Sequence, residues 1–298
     1  MIRRRSAQPS PRTRHTRLGA FLSKSTRGDV FYGIMALRDV QVRRHLAHEN
    51  ILSVQELLLP SSSSTFVDVY VVQESMDTDL RAVIKSQNSL SDDHIKYLMY
   101  NILSGIKHLH AANLVHRKLR PTKILLNRND EVKISDFQHT CRREEIRVWM
   151  QLREETNECI NRCDHLQHLR MVFKLIGSPN DDEVRACPTQ AAEFVKSICC
   201  PKADLATVFP TATTLALDLL ERMLCFDPKK RITAANALMH PYFSEFAHDD
   251  TPEAGSALEC EVLPTMDCST DCELACLDLD ESKLREQFLT EIRLYHPE

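Results

Sequence analysis

The segment VHRKLRPTKILL, residues 115–126, and the segment ISDFQ, residues 134–138, decide which fold this sequence adopts. Residues 123–127 and 131–135 are short apolar or β-branched runs, and they flank a polar turn at residues 128–130. Such runs around a turn predict a small β-hairpin. A basic loop therefore leads directly into a hairpin.

Helices are predicted on both sides of this hairpin. Upstream, Ser91 is a suitable N-cap, and apolar residues recur at helical spacing over residues 95–109. A strand is predicted over residues 67–72, after a polar loop at residues 60–65. Three helices are predicted downstream. The first covers residues 215–224 and ends before Pro228, and the second is capped by Thr233 and ends before Pro241. The final helix is capped by Ser282 and carries Leu284, Phe288, Ile292 and Tyr295 along one face.

Composition excludes several classes of protein. The chain has 298 residues, of which 43% are hydrophobic, so it is neither collagen-like nor wholly disordered. It has only six glycines, and none forms G-x-G-x-x-G or G-x-x-x-x-G-K-[ST]. Backbone N–H groups approach a phosphate closely only where no Cβ intervenes. We therefore expect any nucleotide to be held in another way, or weakly.

The net charge of −4 conceals a strong asymmetry. Residues 1–28 hold seven arginines, one lysine and no acid, whereas residues 249–281 hold eleven acids and no lysine or arginine. The basic head is interpreted as a solvated, disordered tail, with a nuclear signal or a mitochondrial transit peptide as open alternatives.

The eleven cysteines, without an apolar signal-peptide core, predict reduced thiols in the cytoplasm or nucleus. No run approaches about 18 apolar residues, so no membrane span is expected. We expect neither a membrane nor a nucleic acid as partner.

The two opening segments resemble the catalytic loop and the D-F-G segment of protein kinases. Further motifs resemble the mitogen-activated protein kinase family, and among its branches the extracellular-signal-regulated type. They are VYVVQESMDTDL (69–80), LSDDHI (90–95), LIGSP (175–179), ALDLLERML (216–224), DPKKRI (227–232) and HPYF (240–243). The resemblance covers most of residues 38–298 in the family's order. It implies a serine/threonine kinase that uses ATP and Mg²⁺.

The resemblance also implies which catalytic groups have changed. In an active kinase an aspartate accepts the substrate proton, an asparagine five residues later binds one Mg²⁺, and the D-F-G aspartate binds the other. Lys118 stands at the catalytic aspartate position and Lys123 at the asparagine position. Arg120 replaces the lysine that steadies the γ-phosphate. Asp136 is retained at the metal-ligand position, the alternative being a solvated acid in a turn at the hairpin exit. Lysine has no acceptor, so it can neither take the proton nor bind a cation.

The small lobe and the activation segment also depart from the family. Residues 30–33 stand where V-A-I-K is expected, so Gly33 takes the place of the phosphate-anchoring lysine. Asp39 replaces the glutamate that pairs with that lysine. Only 25 residues lie between Gln138 and Asp164, too few for the usual activation segment, and no T-x-Y phosphosite occurs. Without the A-P-E glutamate, Arg231 needs another acid or solvent.

Two further sites are implied. Gln73, Glu74 and Met76 would line an adenine pocket with Leu125 below it, the alternative being an ordinary linker over a packed core. The acids Asp278, Asp280 and Glu281 resemble the docking patch that receives basic linear motifs of activators, phosphatases and substrates, the alternative being a solvated charged face. The same patch has a second candidate ligand in the basic head of this chain.

The predicted fold is α+β, a bilobal kinase-like fold with a truncated N-lobe and a mainly helical C-lobe lacking a normal activation segment. Its predicted parts are a basic disordered tail at 1–28, the truncated N-lobe at 29–76, the C-lobe at 77–246 and an acidic extension with a final docking helix at 247–298. The leading hypothesis is a catalytically impaired docking or decoy protein. The alternatives are an active kinase with an atypical site, with ATP and Mg²⁺ bound weakly, and a splice or gene-model fragment that does not fold.

Overall fold

The computed structural model describes residues 14–18, 27–58, 69–86, 90–142, 162–185, 189–246 and 281–296. Within these ranges the strands are β1 (Arg14–Leu18), β2 (Val54–Leu57), β3 (Val69–Gln73), β4 (Thr78–Asp79), β5 (Leu114–Val115), β6 (Ile124–Leu126), β7 (Val132–Ile134) and β8 (Cys141–Arg142). The α-helices are α1 (Arg27–His45), α2 (Leu80–Lys85), α3 (Asp92–Ala111), α4 (Arg162–Ile176), α5 (Asp181–Arg185), α6 (Thr189–Lys196), α7 (Leu205–Val208), α8 (Thr214–Leu224), α9 (Ala234–Leu238) and α10 (Glu281–Tyr295).

The chain divides into two compact units. The first comprises Met1–Ser89, His108–Trp149 and Ala257–Glu298, and the second comprises Leu90–Lys107 and Met150–Ser256. All described strands belong to the first unit, and the described part of the second is helical. The predicted α+β class is confirmed, whereas the domain boundaries inferred from the sequence stay predictions.

The strands of the first unit form three small antiparallel sheets, with the orders β1-β3-β2, β4-β6-β7 and β5-β8. The predicted hairpin is β6–β7, in which Ile124 pairs with Ile134 and Leu126 with Val132. This register places residue 123 beside residue 135, and the Ser135 N–H donates to the Lys123 carbonyl at 2.9 Å. The end of the basic loop and the exit of the hairpin are therefore held together by backbone geometry.

The core of the first unit forms between two helices and a sheet. Residues of α1, β2, β3 and α10 bury their apolar side chains together, including Leu37, Leu57, Val71, Phe288 and Ile292. Phe288 is fully buried, and burying one such side chain contributes about 2–3 kcal/mol. The predicted apolar stripe of the final helix is confirmed, because Leu284, Phe288 and Ile292 all face this core.

The second unit has two apolar clusters. In one, α3 contributes Leu103, which packs with Leu219 of α8 and with Phe243 of the 3₁₀ turn Pro241–Phe243. In the other, Phe173 of α4 packs with Val184 and Val195. Thr233 caps α9 through a hydrogen bond from the Asn236 N–H, as predicted. None of the described helices is long and apolar enough to cross a membrane.

Three sequence-based expectations are wrong. Residues 14–18, predicted to belong to a disordered tail, form β1 and pair with β3 along its whole length. Residues 30–33, placed at the V-A-I-K strand, lie in α1, so Gly33 is a buried helical residue and no strand occupies its place. The consecutive residues Ile34, Met35, Ala36 and Leu37 are all buried, so this part of α1 is covered on several sides, as is typical of a helix inside a core. Ser282 is not the cap of α10, because that helix already includes Glu281 as its first described residue.

Other expectations fall partly or wholly outside the described residues. The loop at residues 60–65, the shortened segment at residues 143–161 and the acidic stretch at residues 247–280 are not described. Arg231 is exposed, and its guanidinium donates to the carbonyls of Cys225 at 2.8 Å and Phe226 at 3.2 Å rather than to an acid. Solvent and backbone oxygens therefore take the place of the expected carboxylate.

Candidate functional site

The basic loop is fastened to the hairpin exit by a buried histidine. The His116 Nε2–H donates to the Ser135 carbonyl at 3.1 Å, and its Nδ1 accepts from the Lys118 N–H at 3.3 Å. Burial lowers the pKa of His116 despite its hydrogen bond to Ser135, so the ring is neutral at pH 7. Its ring also packs against Phe137, with ring centroids 5.2 Å apart. His116 thus fixes residues 118 and 135–137 relative to each other.

Two residues of the site adopt left-handed backbone conformations that L-residues rarely occupy. Arg117 has φ 62° and Asp136 has φ 67°. Each costs about 1–2 kcal/mol for a residue with a Cβ, so the surrounding contacts must hold them in place. Arg117 directly precedes Lys118, and Asp136 contacts Lys123.

Lys118 lies against His139. Its Nζ donates to the His139 Nε2 at 2.9 Å, which requires the neutral imidazole as acceptor. Burial, together with the positive charge of Lys118, lowers the pKa of His139 to about 4. At neutral pH the position of the catalytic aspartate therefore carries the Lys118 ammonium group beside a neutral His139 ring, and not a carboxylate that could accept a proton.

Lys123 forms an ion pair with Asp136. The Lys123 side chain is 29% exposed and the Asp136 side chain 13%. Burial acts to raise the pKa of Asp136, but the hydrogen bond and charge of Lys123 outweigh it, so the pKa falls below its usual value of 3.8. Lys118 lowers it further. The one retained acidic ligand is thus ionised and already bound to a cation supplied by the chain.

Asp39 joins helix α1 to the residue after Asp136. Its Oδ1 accepts from the Phe137 N–H at 2.7 Å, and its Oδ2 accepts from Arg43 at 2.5 Å. Asp39 and Arg43 are both almost fully buried. Arg43 also donates to the Gln73 Oε1 at 2.7 Å. Both carboxylate oxygens are engaged within the chain, so Asp39 has no need of the missing anchoring lysine.

Comparison with known proteins identifies the family. A model of the protein kinase domain matches residues 21–158. Mitogen-activated protein kinase 7 of Arabidopsis thaliana is 33% identical over 301 residues, covering 89% of this chain and 78% of that protein. Mitogen-activated protein kinase 6 of the same plant is 32% identical over 297 residues, covering 88% and 72%. This chain belongs to the mitogen-activated protein kinase family.

A third relative in the mitogen-activated protein kinase family comes from Dictyostelium discoideum. Extracellular signal-regulated kinase 1 of that organism is 33% identical over 299 residues, covering 88% of this chain and 54% of that protein. The family assignment made from the motifs is confirmed. The lysines at positions 118 and 123 therefore stand in a kinase framework.

The remaining predicted site residues are only partly brought together. Gln73 ends β3 and joins the Arg43 network, whereas Glu74 pairs with Lys133 at 3.1 Å. Met76 is half-buried in the segment after β3, and Leu125 is half-buried in β6, with Asp79 opposite in the sheet. Arg120 is exposed at the start of the 3₁₀ turn Pro121–Lys123. The adenine-pocket assignment stays a prediction.

Only one acid of the predicted docking patch is described. Glu281 begins α10 and forms an ion pair with Arg285 one turn later. Asp278 and Asp280 lie outside the described residues. The docking function of the three acids stays a prediction.

Sequence reasoning missed His139 and Arg43. Arg43 follows Asp39 by four residues on α1, so helical spacing would have suggested that the two side chains pair. His139 gave no such signal, because its lowered pKa depends on burial and on cations brought close by the fold. The site is therefore more cationic, and more fully paired internally, than the motifs alone indicate.

Proposed function

We propose that this mitogen-activated protein kinase family member transfers no phosphate and acts as a docking or decoy protein in signalling. The observation that carries the proposal is the ion pair between Lys123 and Asp136, beside an ammonium group at position 118. The family's catalytic chemistry needs an acceptor and two metal ligands at these three positions. This chain supplies two donors and one carboxylate that is already paired.

The donor set does not suit Mg²⁺. Mg²⁺ prefers oxygen ligands in octahedral geometry, and an ammonium group repels it. No group of three or more histidine, cysteine, aspartate or glutamate side chains suited to a metal occurs within the described residues. Lys123 pairs with Asp136 Oδ2, whereas Asp136 Oδ1 is buried without a hydrogen-bond partner among the described residues, so a divalent ion at Asp136 would find one carboxylate oxygen next to an ammonium group that repels it. The ATP and Mg²⁺ used by the family in general are therefore not expected to act here as a catalytic pair.

Proton transfer is impaired for a separate reason. A positioned general base contributes typically 10²–10⁴-fold to the rate, and Lys118 has no lone pair when protonated. Its hydrogen bond holds the ammonium group against the neutral ring of His139, whose Nε2 accepts it. Neither group is placed to receive a hydroxyl proton while this bond is made.

Docking is supported by charge patterning. The eleven acids of residues 249–281 favour partners with basic linear motifs, such as family activators, phosphatases and substrates. A chain that binds such motifs without transferring phosphate would compete with active relatives for them. Cytoplasm or nucleus is the compartment in which this role is expected.

Phosphotransfer to a basic protein substrate tests the catalytic half of the proposal. The full chain with Mg²⁺-ATP is expected to give no more labelled product than the Asp136→Ala variant. Transfer that Asp136→Ala abolishes would establish the alternative, an active kinase with an atypical site, which the retained Asp136 favours. A cooperative thermal transition of the same preparation would exclude the fragment that does not fold.

Fluorescence anisotropy of a labelled basic peptide tests the docking half. The triple variant Asp278→Asn, Asp280→Asn, Glu281→Gln is expected to weaken binding about tenfold at low salt, since loss of opposing charge reduces attraction. The matched control neutralises Asp249 and Asp250, at the other end of the same acidic run. Equal weakening by both variants would mean that general charge, rather than a docking patch, binds the peptide.

A further inference from the structure

The catalytic loop of this chain carries an excess of positive charge. Among the groups that act most strongly on the His139 ring, Lys118, Arg117 and Arg38 are cations and Asp136 is a carboxylate. Asp136 is already paired with Lys123. Three cations therefore act on this ring, and the carboxylate that acts on it is shared with a fourth cation, Lys123.

The neutral ring adds no compensating negative charge. Lys118 donates to an imidazole nitrogen, which satisfies a hydrogen bond but contributes no negative charge, and the Asp136 carboxylate that also acts on Lys118 is paired with Lys123. The nearby carboxylate of Asp39 is engaged by Arg43 and by the Phe137 N–H. Like charges held this close repel one another, and an anion between them would relieve that repulsion.

The two lysines are reachable from solvent. Lys118 is half-buried, and 29% of the Lys123 side chain is exposed. Arg120, between them in sequence, is exposed as well. Ammonium and guanidinium groups are strong donors to phosphate oxygens. A ligand with several connected negative charges can contact more than one of these donors at once.

We propose that the loop bearing Lys118 and Lys123 binds a triphosphate group without any metal ion. The Lys123 ammonium takes the charge-neutralising position that Mg²⁺ occupies in an active kinase, and Mg²⁺ competes by coordinating the free ligand. This inference rests on the proposed function, because it requires that Asp136 is not a metal ligand. The triphosphate group can come from a nucleotide or from inorganic tripolyphosphate.

Isothermal titration calorimetry of the full chain tests the inference with inorganic tripolyphosphate as the probe. Binding is expected in excess EDTA, and excess Mg²⁺ is expected to weaken it at least tenfold. Lys118→Gln and Lys123→Gln should each weaken binding at least tenfold, whereas Lys118→Arg should preserve it. The matched control is Lys174→Gln, because Lys174 is an exposed lysine on α4 in the second unit.

Parallel titrations with ATP and adenosine distinguish the source of the ligand. Tighter binding of ATP than of tripolyphosphate would indicate a nucleotide, and equal binding would indicate the phosphate chain alone. Lys118 pairs with the neutral ring of His139, so Lys118→Gln breaks no ion pair and is expected to leave the chain folded. This variant therefore tests the inference even if Lys123→Gln unfolds the chain.

Three results would overturn the inference: no tripolyphosphate binding in EDTA, stronger binding with Mg²⁺, or equal effects of Lys118→Gln and Lys174→Gln. If tripolyphosphate does not bind in EDTA and no phosphotransfer is detected, this inference is overturned and the proposed function still stands. Binding strengthened by Mg²⁺ together with phosphotransfer would overturn both.

Discussion

Breaking the ion pair between Lys123 and Asp136 is expected to destabilise the first unit measurably. Exposed ion pairs contribute about 0.2–1 kcal/mol, whereas removing one partner of a fully buried pair costs about 3–5 kcal/mol. This pair lies between those limits, with side chains 29% and 13% exposed. We therefore expect a coupling free energy of about 2 kcal/mol.

A double-mutant cycle in urea denaturation measures this coupling. Lys123→Ala should be the costlier single change, because it leaves the less exposed partner, Asp136, as an unpaired carboxylate. Asp136→Ala should cost less, because the longer lysine side chain can turn towards solvent. A coupling free energy below about 0.5 kcal/mol would refute the view that this internal cation neutralises Asp136.

The pH dependence of the cycle gives an independent check. The pKa of Asp136 is lowered below 3.8 in the folded chain, so the stabilisation is fully present above that pH and is lost as pH falls through the lower, folded value. Coupling that is unchanged between pH 7 and 5 is the expected result. A coupling that already disappears at pH 5 would contradict an ionised, lysine-bound Asp136.

Three further results are expected. The folded pKa of His139 is about 4 against 6.5 when unfolded, so the free energy of unfolding should fall as pH drops from 6.5 to 4. A shift of this size corresponds to about 3 kcal/mol, and solvent screening of the partly exposed ring reduces the expected loss to about 1–2 kcal/mol. His139→Gln should remove that part of the pH dependence in urea titrations. Asp39→Asn should cost about 3 kcal/mol in the same assay, since it leaves the buried Arg43 guanidinium without its charge partner, and a cost below 1 kcal/mol would contradict this. Phe288→Ala should cost about 4 kcal/mol because Phe288 is fully buried, whereas Leu294→Ala, on the exposed side of α10, should change stability by less than about 0.5 kcal/mol.

Local patterns predicted much of the fold. The cap at Ser91 and the apolar spacing after it placed α3 correctly, because both signals lie within one helix: the Ser91 Oγ accepts from the His94 N–H at 3.3 Å. The β6–β7 hairpin followed from two short apolar runs around a polar turn. The error at residues 30–33 arose from placing a strand by analogy with the family. The consecutive residues Ile34, Met35, Ala36 and Leu37 are all buried, so α1 carries no helical periodicity that could have corrected the analogy.

The site was predicted less completely, because its chemistry depends on distant contacts. The motifs identified Lys118 and Lys123 as changed positions and Asp136 as a retained one, but the pairing of Lys123 with Asp136 depends on the hairpin register. The roles of Asp39 and His139 depend on burial and on the approach of α1 to residue 137, which no local pattern contains.

Divalent ion binding tests the central claim most directly, namely that an internal ammonium group takes the place of the metal. Electron paramagnetic resonance of Mn²⁺ should show only the free ion in the presence of the wild-type chain. Lys123→Asn removes the ammonium and restores an oxygen ligand, so it should reduce the free-ion signal, and the control Lys123→Asn with Asp136→Ala should not. Equal Mn²⁺ binding by the wild type and by Lys123→Asn, abolished in both by Asp136→Ala, would contradict the account.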